Sequence, residues 1–205
     1  MNYDTMPNDE IITKTEKGLI ERGFLPETVS TKAEALEKIK NIIETGASVM
    51  NGSSRTLEEI GFINYLKGDS HDWNNLHKAI IDEKDPAKQA ILRKQSVLSD
   101  YYLGSVHALT EEGELVIVSA TGSQLPHIVY TSPNIIFVVG TQKIVPALTD
   151  AFDRIRSYVF PLEDQHMKEV GYGGSVISKE LILNNEPAQM GRKVHVILVK
   201  EKLGF

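Results

Sequence analysis

Three groups of residues in this 205-residue sequence have the chemistry of a site. The first is an acidic turn, Glu111-Glu112-Gly113-Glu114, that leads into the unbroken apolar run Leu115-Val116-Ile117-Val118, the pattern of a strand buried on both faces. Three carboxylates in four positions repel one another, and partial shielding from water would raise the pKa of at least one of them toward that of a general base. The alternative is a solvated hairpin turn. The second group is Asn51-Gly52-Ser53-Ser54-Arg55-Thr56, set between a strand candidate and a helix start. Unpartnered helical N–H groups, two hydroxyls and a guanidinium there suit an anion; the plainer use is a tight turn at Asn51-Gly52 with Ser53 and Ser54 as local caps. The third is Gly140-Thr141-Gln142-Lys143, which places a cation at a strand's carboxyl end, where open α/β sheets bind ligands. A solvated surface Lys143 is the other reading. Gly122 and Ser123, in the polar turn 120–124, either line the same pocket or simply connect two elements.

The elements that must position these groups follow from periodicity. Residues 8–23 read as a helix with Ile11, Ile12, Leu19 and Ile20 on its apolar side, an extension over 1–26 that packs against a domain over 27–205. Thr31-x-x-Glu34 and Thr56-x-x-Glu59 are capping-box patterns, each followed by apolar residues at helical spacing. Asp85-Pro86 opens another helix, expected to turn Ala87, Ala90, Ile91 and Leu98 inward. Residues 67–84 are polar and irregular, with Trp73 and Leu76 anchoring a loop or short helix, and 126–130 make a short helix. Asn134–Gly140 is the clearest buried strand, and Pro146 opens a helix expected to close before Pro161. Residues 160–192 carry little periodicity; Gly171-Tyr172-Gly173-Gly174 there reads as a flexible loop or lid. Val194–Val199 is the last strand. Strands alternating with capped helices predict a three-layer α/β sandwich with a mostly parallel sheet.

Composition removes several function classes. The net charge of -6, with no block of Lys or Arg, does not suit a protein that binds nucleic acid by neutralising phosphates. With no Cys there is no thiolate catalysis, no disulfide and no Cys-ligated iron–sulfur cluster. The six His include no i,i+4 pair, so no metal site is expected. The loop at 51–56 lacks the Gly-Lys-Ser/Thr of a nucleotide triphosphatase. Neither a leader nor a spanning apolar run is present, and the expected location is the cytoplasm, without a membrane partner.

Three blocks, 51–61, 108–116 and 196–205, in this order and with the strand at 136–144 between the last two, resemble the lactate-utilisation domain (LUD) family. The resemblance implies a fold similar to the sugar-phosphate isomerase and coenzyme A transferase superfamily. It places a substrate phosphate or carboxylate at the Ser-rich loop, and it puts Glu111, two positions before Gly113, where the transferases carry their nucleophile. Some relatives with the same closing sequence carry a Cys cluster suited to an iron–sulfur centre; this chain has none, so a redox role would need an iron–sulfur or flavin partner subunit. Two functions are therefore expected. One is a pocket for a small anionic metabolite in lactate or related organic-acid utilisation, with Asn51 to Thr56, Gly113, Gly122, Ser123, Gly140 and Lys143 as ligand-binding residues and Glu111 as base or nucleophile. The other is a non-catalytic accessory or sensor subunit of an organic-acid oxidation system, which asks nothing of Glu111.

Overall fold

A computed structural model describes residues 3–205. In chain order it contains α1 (Asp9–Glu21), β1 (Leu25–Val29), α2 (Lys32–Ile42), β2 (Ser48–Asn51), α3 (Arg55–Glu59), α4 (Phe62–Lys67), β3 (Asn74–Asn75), α5 (Leu76–Asp82), α6 (Pro86–Gln95), β4 (Tyr101–Gly104), β5 (Ala108–Thr110), β6 (Leu115–Ser119), β7 (Asn134–Gly140), β8 (Ile144–Val145), α7 (Leu148–Arg154), α8 (Phe160–Glu169), β9 (Lys179–Leu183) and β10 (Lys193–Val199). Six strands form a parallel sheet in the order β1-β10-β7-β4-β2-β3. Strands buried on both faces need apolar side chains at every position, and β7 meets that demand. Ile136 and Val138 pack with Ala35 and Ile39 of α2 and Leu57 of α3 on one face. Ile135, Phe137 and Val139 pack with Ile12 and Leu19 of α1 and with Leu109, Leu115 and Ile117 on the other. The expected α/β sandwich is present, and each such fully buried aliphatic side chain contributes about 1.5–3 kcal/mol.

The second face is shared between α1 and a small mixed sheet, β8-β5-β6-β9. Leu115–Ile117 is buried as expected and Val118 half-buried, but in this smaller sheet, whose outer side packs Ala108, Val116 and Val145 against Ala151 of α7 and Ile155. Ile12 and Leu19 are buried, while Ile20 is exposed. The N-terminal helix therefore packs deeply on the body, and β1 runs across residue 26 into the main sheet.

Three local expectations need correction. The helix beginning at α7 does not stop before Pro161: it passes through a π-helical turn, Ile155–Val159, into α8. Phe160 N–H donates to the Ile155 carbonyl across the wide turn, and this break in the α-ladder accommodates Pro161, which has no N–H to give. The helix after residue 51 is capped by Ser54, whose hydroxyl accepts the Leu57 N–H at 3.3 Å, and not by Thr56. Within 67–84 the short-helix alternative is what forms: α5, entered from β3. On α6, Ala87, Ala90 and Ile91 face solvent, as does Leu98 beyond it. Its Asp85 cap forms as expected, accepting the Ala87 N–H at 2.8 Å.

Candidate functional site

All six strands of the main sheet point the same way, so their carboxyl ends share an edge, and the loops leaving that edge build the site. Residues 52–56 follow β2, 105–107 follow β4, 141–143 follow β7 and 200–205 follow β10. Together with α8 and the segment after it they enclose a cavity of about 450 Å³, within the range that takes small-molecule ligands. Gly52, Ser53, Ser54, Arg55, Thr56, Ser123 and Lys143 all line it.

Lys143 is 3% exposed. Its ammonium donates to the Thr56 hydroxyl at 3.1 Å, the Ser105 hydroxyl at 3.1 Å and the Val106 carbonyl at 3.3 Å. No carboxylate among the described residues forms an ion pair with it. Burial pushes its pKa down from 10.5 to about 7, the charge of Arg154 acts in the same direction, and Glu59 opposes them. A solvated surface Lys143 is thus not what the fold builds.

His107 stands beside it in the cavity lining. Its Nδ1 accepts the Val118 N–H at 3.1 Å, which places the proton of the neutral ring on Nε2. Burial, then Lys143 and Arg154, push its pKa down to about 3, so the ring is a neutral hydrogen-bond donor near pH 7. Arg154, fully buried, donates to the His107 carbonyl at 2.7 Å and fixes the main chain there. Arg55 is half-exposed and paired only within its own helix, to Glu58 at 3.3 Å, which leaves it able to turn toward a ligand. Tyr102 lies under Gly52: a Cβ on that glycine would stand 2.6 Å from the Tyr102 hydroxyl. Burial holds the Tyr102 hydroxyl well above the usual phenol range, so it stays protonated.

The remaining expected residues lie elsewhere. Asn51 sits behind the lining, its amide oxygen accepting from His77 Nδ1 at 3.1 Å and its amide donating to the Gly52 carbonyl at 3.0 Å. Gly140 packs against the main chain of the tail at Glu201 and Leu203, and Gly122, at φ +82°, lies against the aliphatic part of Lys179. Glu111 and Gly113 are at the far end of the β5–β6 hairpin from His107 and Ser119, and they do not line the cavity. The acidic turn is a joint to α1. Lys14 pairs with Glu111 at 3.1 Å and Glu112 at 2.8 Å, and Arg22 pairs with Glu114 at 3.4 Å. The hydrogen bond from Lys14 lowers the Glu112 pKa, where mutual repulsion was expected to raise it. Gly113, at φ +90°, and Gly18 meet backbone to backbone: a Cβ on either would stand 2.6 Å from the other's chain.

The sequence reading missed one wall. Phe160, Glu163, His166 and Met167 line the cavity from α8, and Val170, Tyr172 and Val176 from the segment after it. The spacing of Phe160, Glu163, Met167 and Val170 is helical, and that was the signal available. The tail closes the floor: Gly204 N–H donates to the Glu59 carboxylate at 2.7 Å, and Gln142 donates to the Leu203 carbonyl at 2.8 Å. Gly204, at φ +62°, passes so close that a Cβ there would stand 2.5 Å from the Thr56 hydroxyl and 3.3 Å from Lys143 Nζ.

Comparison with known proteins agrees with this architecture. A family model described as the LUD domain matches residues 12–199. No curated protein matches the chain. The crystal structure of a DUF162 family protein from Deinococcus radiodurans, at 1.70 Å resolution, superposes with a TM-score of 0.56 at 14% identity, covering 95% of this chain and 99% of that one. A likeness at that identity shows the fold and leaves the chemistry to the site. Among the described residues no helix is long and apolar enough to cross a membrane.

Proposed function

The chain belongs to the LUD-domain family, and on that premise we propose that it binds a small organic anion at the carboxyl edge of its parallel sheet, in lactate or related organic-acid utilisation. One observation carries the reading: Lys143, buried at the cavity lining, is held by two hydroxyls and a carbonyl with no described carboxylate to neutralise it. A buried charge without a counter-ion is costly, and a ligand carboxylate or phosphate beside Nζ removes that cost. Arg55 supplies a second cation, Ser53 a hydroxyl, and His107 a neutral N–H donor from the same lining. Burial lowers the Lys143 pKa to about 7, so the amine of the empty site gives up its proton far more readily than an exposed lysine does. An anion favours the ammonium, so binding draws a proton from solvent. The acidic turn has no part in this reading, because Glu111 is committed to Lys14.

The test is calorimetric titration of the purified protein with L-lactate, other hydroxy acids, sugar phosphates and acyl-coenzyme A compounds, in two buffers of different ionisation enthalpy. The expected result above pH 7 is binding with net proton uptake, both lost in Lys143→Met, with affinity reduced in Arg55→Ala. Binding that Lys143→Met leaves intact would remove the anchor and with it the proposal.

A further inference from the structure

We propose that the ligand is a monocarboxylic acid with an apolar body of several carbons, its carboxylate at Lys143 and its chain against α8 and the segment that follows. This rests on the anion-binding reading above and names the ligand class. The first ground is size. A cavity of about 450 Å³ lies in the range of pockets for much larger ligands, and a three-carbon hydroxy acid at Lys143 leaves most of it unfilled.

The second ground is the division of polarity along the cavity. The strand-edge loops contribute Ser53, Arg55, Ser105, His107 and Lys143, whereas α8 and the segment after it contribute Phe160, Met167, Val170, Tyr172 and Val176 beside Glu163, His166 and Ser175. Val170, Tyr172 and Val176 are 51%, 76% and 56% exposed while lining the cavity. This apolar surface stays wet in the empty protein, and a ligand chain would remove it from water at a gain proportional to the area covered. Three glycines among these residues, Gly171, Gly173 and Gly174, have φ of +89°, +74° and +122°. Only glycine adopts such backbone without strain, so the turns that carry Tyr172 past the end of α8 depend on these residues. The third ground is charge. Glu163 stands on the same wall and repels a second ligand carboxylate, which favours a monoacid over a diacid.

The test is a chain-length series titrated into the intact protein: lactate, 2-hydroxybutanoate, 2-hydroxyhexanoate and 2-hydroxyoctanoate, with a dicarboxylate of matched length. Affinity is expected to rise roughly fourfold for each methylene buried, and the diacid to bind more weakly than the monoacid. Tyr172→Ser, at a side chain that is mostly exposed, is expected to flatten the slope of affinity against chain length. Uniform affinity along the series, still dependent on Lys143, would overturn the apolar subsite and keep the anchor. A slope that persists in Lys143→Met would keep the subsite and overturn the anchor. Binding by no member of the series would overturn both.

Discussion

Replacing Lys143 with methionine is expected to stabilise the protein at neutral pH while destroying its site. In the folded chain the amine titrates at about 7, against an ordinary value of 10.5. Between those values the unfolded chain holds the proton and the folded chain does not, so this group makes stability rise with pH across the window and imposes its full penalty below pH 7. At about 1.4 kcal/mol per pH unit, the displacement corresponds to roughly 5 kcal/mol. Methionine removes this term and also the three hydrogen bonds to Thr56, Ser105 and Val106, which costs about 1 kcal/mol for each. Lys143→Met should therefore be more stable than the parent by about 1–2 kcal/mol at pH 7 and less stable near pH 10. The assay is urea unfolding of both proteins at half-unit intervals from pH 7 to 10, read as the difference in free energy so that titrations common to both cancel. A crossover supports the reasoning. Parallel curves would refute it, because they would mean that Lys143 carries its proton as readily in the folded chain as in the unfolded one. A saturating ligand should add about 2.7 kcal/mol to the parent alone at a hundred times its Kd.

Three further outcomes are expected. His107 and His127 have pKa values pushed down to about 3 and about 4, in both cases first by burial; the unfolded chain takes up protons near 6.5 and the folded chain does not, so stability should fall as pH drops from 6.5 toward 4, and His127→Gln should shift the acid transition measured by circular dichroism to lower pH. Gly18→Ala should cost about 2 kcal/mol in urea unfolding despite the better helix propensity of Ala, because its Cβ meets the Glu112 main chain at 2.6 Å. Glu111→Gln should leave ligand affinity unchanged in the same titrations, since the side chain reaches Lys14 and not the cavity; a tenfold loss would return Glu111 to the site.

The parts of the fold written in contiguous residues were legible in the sequence. The run Asn134–Gly140 is apolar at nearly every position because both its faces are covered, and the Thr31 and Asp85 caps needed only their own next few residues. The strand-to-helix turn at 52–54 was legible for the same reason. What escaped depends on partners distant in sequence. Lys143 was placed at a strand's carboxyl end from the sequence, but its burial shows only through Thr56, Ser105 and Val106, 87, 38 and 37 residues away. The acidic turn looked like chemistry because Lys14, 97 residues from Glu111, was invisible beside it. The pattern Ala87, Ala90, Ile91 reads as a buried face, and nothing local reveals that the fold leaves α6 outside. Pro161 is ordinarily a stop, and only the wide turn before it lets the helix continue.

That wide turn has a consequence for how the cavity wall is inherited. A π-turn is one residue more than the α-helix needs, and each α-helical residue advances about 100° around the axis. The wide turn takes up that residue, so α8 continues the helix without the swing that an inserted residue would otherwise impose, and Glu163 and Met167 stay on the cavity side. Deleting one codon within 156–158 would bring back the α-ladder at Pro161, whose ring clashes with the carbonyl four residues before it, and would break the wall there with every strand of the sheet untouched. The extra residue and the proline are thus a matched pair, and the residue can be lost only where the proline has gone first.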